Sequence, residues 1–258
     1  MRIIENIQYS IHGDYTLLDM YLPDCDEFPV FVYFHGGGLE SYGRGWQEMN
    51  AEYLCSKNIG LISAEYRSYP HARYPEFIMD AAAAVAWVKN HINEYGKCEN
   101  IFVGGSSAGG YLSMMLCFDP KYLAPYKIKP TDITGYIHDA GQPTTHFNVL
   151  RERGFIAEGL KERIVVDEAA PMYHVGTSEE YSPMLFIISD NDRGTRIEQT
   201  NLMIAQLKGF GHEDNVKLKL MHGTHCEYVY KGREEKLQSV FGPIIEEFIV
   251  EVLNKWIY

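Results

Sequence analysis

The chain predicts an α/β architecture: a mostly parallel sheet of about eight strands, helices on both faces, and an N-terminal antiparallel hairpin. Three observations carry this. Strand-like and helix-like segments alternate from residue 30 onward, which implies right-handed crossovers and parallel pairing. Runs such as Val30–Phe34 and Ile101–Val103 are apolar without polar alternation, as in strands covered on both faces. The 258 residues, 46% of them hydrophobic, suit a single domain, residues 1–258, with one full core.

The elements follow in order. Residues 3–11 and 15–22 flank His12-Gly13-Asp14, a turn signal, and form the hairpin. Pro29–Phe34 is a buried strand ending at a glycine run. Residues 46–58 have a helical pattern and lead to a strand at Gly60–Glu65. A proline-punctuated loop, Tyr66 to Pro75, precedes a helix through His91, whose Ala81–Ala84 permits close packing on the sheet. Strand 100–104, a sharp turn and helix 108–118 come next, then strand Gly135–Ala140. Residues 142–180 mix Gly, Pro, Thr and charges, and are expected to be irregular, a lid or pocket insert. Strand Met184–Ser189, helix 196–209, strand 216–221 and an amphipathic helix over 235–256 complete the chain. The terminal Trp256-Ile257-Tyr258 suits either packing on the sheet or an association patch.

The totals exclude several function classes. A net charge of −12 disfavours nucleic acid and anionic membranes as partners. Five scattered cysteines include no C-x-x-C pair, so neither a zinc site nor a disulfide framework is suggested, and free thiols fit a reducing compartment. The N-terminus lacks a long apolar core, and no later segment reaches membrane-spanning length. The expectation is a soluble, cytoplasmic protein with no metal or organic cofactor; its oligomeric state is left open.

Gly105-Ser106-Ser107-Ala108-Gly109 lies between an apolar strand and a small-residue helix pattern. A G-x-S-x-G frame at a strand–turn–helix junction reads as a nucleophile elbow, where small flanking residues allow a tight turn that lifts the hydroxyl toward a base. Shifting the frame to Ser106 would end it in alanine, so Ser107 fits better. Upstream, His35-Gly36-Gly37-Gly38 follows another strand; such a loop offers backbone N–H donors unobstructed by side chains, as an oxyanion hole requires. Ala108 adds an N–H at a helix start. A base is offered by His225, in a Gly223-Thr224 turn after the last strand, with His222 as rival. An orienting acid is offered by Asp190 or Asp192, both at the end of a late strand. Each of these candidates sits at the carboxyl end of a strand, where open α/β sheets place their sites.

The chain resembles the α/β-hydrolases, and within them the hormone-sensitive-lipase-type carboxylesterases. His35-Gly36-Gly37-Gly38, Tyr66-Arg67-Ser68-Tyr69-Pro70 with Pro75 and Asp80, Gly105-Ser106-Ser107-Ala108-Gly109-Gly110, Ala170-Pro171, Asp192 and Gly223-Thr224-His225 carry the resemblance, over about residues 15 to 256. It implies Ser107, Asp192 and His225 as catalytic triad, and Gly37, Gly38 and Ala108 as oxyanion hole. His35 is expected to anchor the glycine loop, Asp80 and Arg67 to tie sheet and loop together, and Cys226 to be small packing. The chain departs from the family in two places. Only a hairpin precedes the sheet where the family usually has a helical cap, and Arg193-Gly194-Thr195-Arg196 follows Asp192 in place of Pro and apolar residues. The chain is similar to capless acetyl and feruloyl esterases and to kynurenine formamidase.

The reading is a serine carboxylesterase acting through an acyl-enzyme on short-chain, acetyl-like esters of small molecules, carbohydrate or plant-derived. Tyr42, Trp46, His138 and Gln142 are expected to bind the substrate. The alternatives are a formamidase or small-amide hydrolase using the same triad, and a non-catalytic binding module.

Overall fold

The computed structural model describes residues 1–155, 163–230 and 238–255. Eight strands form one sheet in the order β1-β2-β4-β3-β5-β6-β7-β8. They are β1 (Arg2–Gln8), β2 (Leu17–Leu22), β3 (Val30–Phe34), β4 (Gly60–Ala64), β5 (Ile101–Ser106), β6 (Gly135–Asp139), β7 (Met184–Asn191) and β8 (Val216–Thr224). β1 and β2 pair antiparallel, and β2 joins β4 antiparallel. Every pair from β4 through β8 is parallel.

The helices are α1 (Glu48–Ser56), α2 (Glu76–His91), α3 (Ala108–Phe118), α4 (Phe147–Glu152), α5 (Arg196–Gly209), α6 (Glu227–Tyr230) and α7 (Phe241–Lys255). Their placement follows from strand alternation. In β3, Val30, Val32 and Phe34 face one core layer with Phe77, Val85, Leu112 and Leu207 of α2, α3 and α5. Phe31 and Tyr33 face the other, with Leu54 of α1 and Ile245, Phe248 and Ile249 of α7. Successive side chains point to opposite faces, so an apolar run with no polar member is what two covered faces require.

The expected strands are found within a few residues. Residues 142–180 are less irregular than expected: they contain α4 and a 3₁₀ turn, Pro171–His174. A six-residue helix is too short for its periodicity to stand out in sequence, as is α6 after His225. β8 continues past residue 221 to Thr224. The last helix starts at Phe241, later than expected; residues 235–237 and the ending Trp256-Ile257-Tyr258 lie outside the described residues, as does 156–162 in the middle of the proposed insert. No helix among the described residues is long and apolar enough to cross a membrane.

The chain leaves β3 outward to β4 and returns across it to β5, so β3 and β5 flank the point where strand order reverses. Loops at such a point open a crevice at the carboxyl edge. The glycine loop leaves β3 and Ser107 leaves β5, and the two strands are adjacent. Asp192 and His225 leave β7 and β8, also adjacent.

Candidate active site

Ser107 sits at φ 55°, ψ −109°, between the end of β5 and the start of α3. A serine at positive φ stores strain, and the surroundings must hold it there. Two glycines make the turn possible. A Cβ on Gly109 would lie 1.9 Å from the Phe34 carbonyl oxygen, and one on Gly105 would lie 2.5 Å from the same atom. The Ser107 N–H donates to the Asp139 carbonyl at 2.8 Å, tying the elbow to β6.

His225 bridges the other two members. Its Nε2 is 2.8 Å from the Ser107 Oγ, and its Nδ1 is 2.5 Å from Asp192 Oδ1. The partners assign the tautomer: Nδ1–H donates to the carboxylate and Nε2 accepts the serine proton. Both side chains of the ion pair are nearly inaccessible, 9% for His225 and 0% for Asp192. Burial pushes the Asp192 carboxyl up, but the His225 hydrogen bond and charge, the Arg193 N–H and the Arg196 charge more than reverse this, leaving it below the ordinary carboxylate value. Burial pushes the His225 imidazole down, Asp192 raises it, and the balance stays below the ordinary histidine value. At neutral pH the arrangement is a carboxylate, a neutral imidazole and a hydroxyl, the state in which an imidazole can take a serine proton.

The geometry also separates the alternatives that the chain left open. Asp190 and His222 pair with each other: Oδ2 and Nδ1 are 2.6 Å apart, and the His222 side chain is 96% exposed. The Gly223 N–H donates to Asp190 at 3.0 Å, so this pair shapes the start of the loop carrying His225. Ser106 is buried, and its hydroxyl faces the interior.

The glycine loop packs directly against the elbow. A Cβ on Gly36 would be 3.4 Å from the Ser107 Cβ. Gly37 and Gly38 both adopt positive φ, 109° and 66°. The Gly37 carbonyl accepts from the Glu40 and Ser41 N–H groups, closing the turn. The Gly38 carbonyl accepts from the Asn148 side-chain amide of α4. With these carbonyls engaged, the Gly37, Gly38 and Ala108 N–H groups have no protein acceptor among the described residues and can serve an incoming anion. His35 stacks on Tyr66 with ring centroids 4.4 Å apart and reaches Glu65 Oε1 at 2.8 Å, which anchors the loop. Arg67 makes a two-pronged bond to Asp80, 2.8 and 2.9 Å, tying the segment after β4 to α2. Cys226 is buried at φ 56°, and burial holds its thiol well above its usual range.

A cavity of about 380 Å³ opens above these groups, lined by the glycine loop, Tyr42, Phe147, Arg193 and Tyr230 with Ser107 and His225. Tyr42 of the expected substrate residues lines it. Trp46 is exposed beyond its described lining. His138 and Gln142 are corrections: both are buried and neither reaches the cavity. His138 packs among Phe118, Tyr136 and Phe186, its Nδ1 2.9 Å from the Ser113 hydroxyl, because it lies inside β6 and not beyond it. Gln142 bonds Thr144, the Thr145 carbonyl and the Phe147 N–H, and so shapes the approach to α4. Among the described residues no cluster of His, Cys, Asp and Glu could hold a metal.

Sequence reasoning missed two supports. Asn148 holds Gly38 across 110 positions, and nothing local marks that partnership. Tyr228, in α6, donates to the buried Asp139 carboxylate, and so fastens the His225 loop to the strand end that also accepts from Ser107. Burial, with a smaller contribution from Asp192, pushes the Asp139 carboxyl up to about 7, even though the bond from Tyr228 lowers it.

The sheet order, the elbow and the three-residue relay define an α/β-hydrolase fold. Residues 31–131 match a family model described as alpha/beta hydrolase fold. The chain is similar to a protein named "Probable carboxylic ester hydrolase LipM" of Mycobacterium tuberculosis, 25% identical over 268 residues, covering 96% of this chain and 61% of that protein. It is also similar to esterase LipC of the same organism, 26% identical, covering 76% of this chain and 52% of the other. The chain thus spans between half and two thirds of the length of these relatives. Thermogutta terrifontis esterase 2, in a form phosphoramylated by tabun, superposes with a TM-score of 0.76 at 21% identity, over 97% of this chain and 94% of that one.

Proposed function

We propose that the protein is a serine carboxylesterase that hydrolyses short-chain esters of small molecules through an acyl-enzyme. The single observation behind this is the His225 ring, hydrogen-bonded to Ser107 on one side and to Asp192 on the other, beside a glycine loop with unspent N–H groups. Ser107 Oγ attacks the ester carbonyl carbon as His225 Nε2 takes its proton. The carbonyl oxygen, now negative, is stabilised by the Gly37, Gly38 and Ala108 N–H groups. The tetrahedral species collapses, the alcohol oxygen leaves with the proton from His225, and the acyl group stays on Ser107. Water then attacks the acyl carbon with His225 as base, the serine oxygen recovers its proton, and the acid departs. Asp192 remains ionised and steadies the imidazolium in both halves. The relatives whose names specify ester hydrolysis favour esters over amides, and a cavity of about 380 Å³ suits a short acyl group.

The test is a p-nitrophenyl ester series from acetate to dodecanoate on the natural chain and on Ser107→Ala. Turnover concentrated in the shortest esters and lost in Ser107→Ala is expected. Turnover surviving in Ser107→Ala sinks the nucleophile, and a preference for the long esters sinks the acyl-size assignment. Paraoxon should add one diethylphosphoryl group to the natural chain and none to Ser107→Ala, read by intact mass.

A further inference from the structure

Arg193 lines the cavity together with Ser107 and His225. It stands where the resembling family usually has an apolar or proline segment. Among the described residues no carboxylate lies within ion-pair distance of its guanidinium; its backbone N–H donates to Asp192 at 2.7 Å and its carbonyl accepts from the Arg196 N–H at 3.3 Å. The acidic residue on the cavity wall, Glu40, is already matched: Arg151 Nη1 is 2.8 Å from its carboxylate. Among the described residues the wall therefore carries one neutralised pair and one positive charge without a carboxylate partner.

A second arginine strengthens this local field. Arg196, buried at the start of α5, donates to the Ala140 carbonyl at 3.1 Å. Its charge acts on both Asp192 and His225, and the charge of Arg193 acts on His225. Burial first, and then Arg196, Arg151 and Arg193, push the His146 imidazole well below its usual range; His146 stacks on Phe147, a cavity wall residue. A chain of net charge −12 repels anions at a distance, so the Arg193 guanidinium on this concave surface, with Arg196 buried beside Asp192, is a local exception to its overall field.

Position selects the part of the substrate concerned. The leaving alcohol receives its proton from His225, so it must sit on the His225 side of Ser107. Arg193 follows Asp192, the partner of that same ring, and lines the cavity together with His225. On the esterase reading given above, we infer that Arg193 is a specificity determinant that binds a carboxylate carried on the alcohol half of the ester. The substrate class is then an acylated hydroxy or phenolic acid, hydrolysed to a short acid and a free hydroxy acid.

The test uses 3-(4-acetoxyphenyl)propanoate and its neutral twin, 3-(4-acetoxyphenyl)propanamide. Two methylenes separate the charge from the phenol, so the leaving groups match. Phenol release gives kcat/KM for the natural chain, Arg193→Gln, Arg193→Lys and Arg193→Glu. The acid-to-amide ratio should fall about fivefold in Arg193→Gln, carried by KM, as expected for one partly exposed ion pair. It should fall further in Arg193→Glu, recover in part in Arg193→Lys, and shrink in the natural chain as salt rises. A ratio that changes less than twofold in Arg193→Gln overturns the assignment while leaving the esterase reading intact. Failure of the natural chain to hydrolyse either acetate, or hydrolysis that survives in Ser107→Ala, overturns the esterase reading and this inference with it.

Discussion

Gly109→Ala puts the elbow under direct stress. The added Cβ would lie 1.9 Å from the Phe34 carbonyl oxygen, 2.5 Å from its carbon and 2.8 Å from the His35 carbonyl oxygen. The first distance is about 1.5 Å short of ordinary contact, which starts at 3.4 Å. All three atoms are backbone, so no rotamer change relieves the clash, and α3 must back away from β3. Overpacking costs about 1–3 kcal/mol, with backbone clashes at the upper end. Alanine returns about 1 kcal/mol of helix propensity, for a net loss of about 2 kcal/mol. With an m-value of about 2 kcal/mol per M, the urea midpoint should fall by roughly 1 M. The same displacement moves the Ala108 N–H and Ser107 against the glycine loop, and a shift near 1 Å can cost about 100-fold in rate. Gly209→Ala is the matched control. It ends α5, and nothing lies within 4 Å of its added Cβ, so it should stabilise by roughly 0.5–1 kcal/mol and leave activity in place. Urea unfolding followed by fluorescence and kcat/KM on p-nitrophenyl acetate would read both variants. A Gly109→Ala protein with an unchanged midpoint would refute the argument that close approach of α3 to β3 sets this turn.

Asp192→Asn should lower kcat roughly 10³–10⁴-fold with little change in the urea midpoint, because it reverses the proton preference at His225 Nδ1 while keeping the shape; a loss under tenfold would remove Asp192 from the relay. The acid limb of kcat/KM should have its midpoint below 6.5, because burial holds His225 beneath that value and only the neutral ring accepts the serine proton; a midpoint above 6.5 contradicts this. His138 is held down to about 3 by burial, so the unfolded chain takes a proton that the folded one refuses, and stability should fall as pH drops from 6.5 toward 3. His138→Phe should flatten that part of the stability curve, since Ser113 keeps its bond to the Gly110 carbonyl; an unchanged acid slope would count against it. Tyr228→Phe should cost about 1–3 kcal/mol by leaving a buried Asp139 oxygen without its donor, and should lower kcat by loosening the His225 loop; an unchanged urea midpoint would refute the tether.

What the chain determined by itself is local and periodic. Apolar runs set the strands, alternation with helical segments set parallel pairing, and glycine spacing marked both turns at the carboxyl edge, because a tight turn excludes side chains wherever it occurs. Ser107 was therefore legible from its own neighbours, and Asp192 and His225 from chain order and resemblance. Adjacency across the sheet was not. Only the folded chain decides that Asp190 turns to His222 while Asp192 turns to His225: residues two apart share a face on a regular strand, and the register shift between Ser189 and Asn191, where β7 ends, is what separates them. His138 and Gln142 carry the polarity of binding residues, yet packing of β6 and the turn before α4 puts them inside. Asn148 on Gly38, Tyr228 on Asp139 and the place of Arg193 on the cavity wall depend on which segments meet across more than thirty to a hundred positions, information that tertiary packing holds and local composition does not.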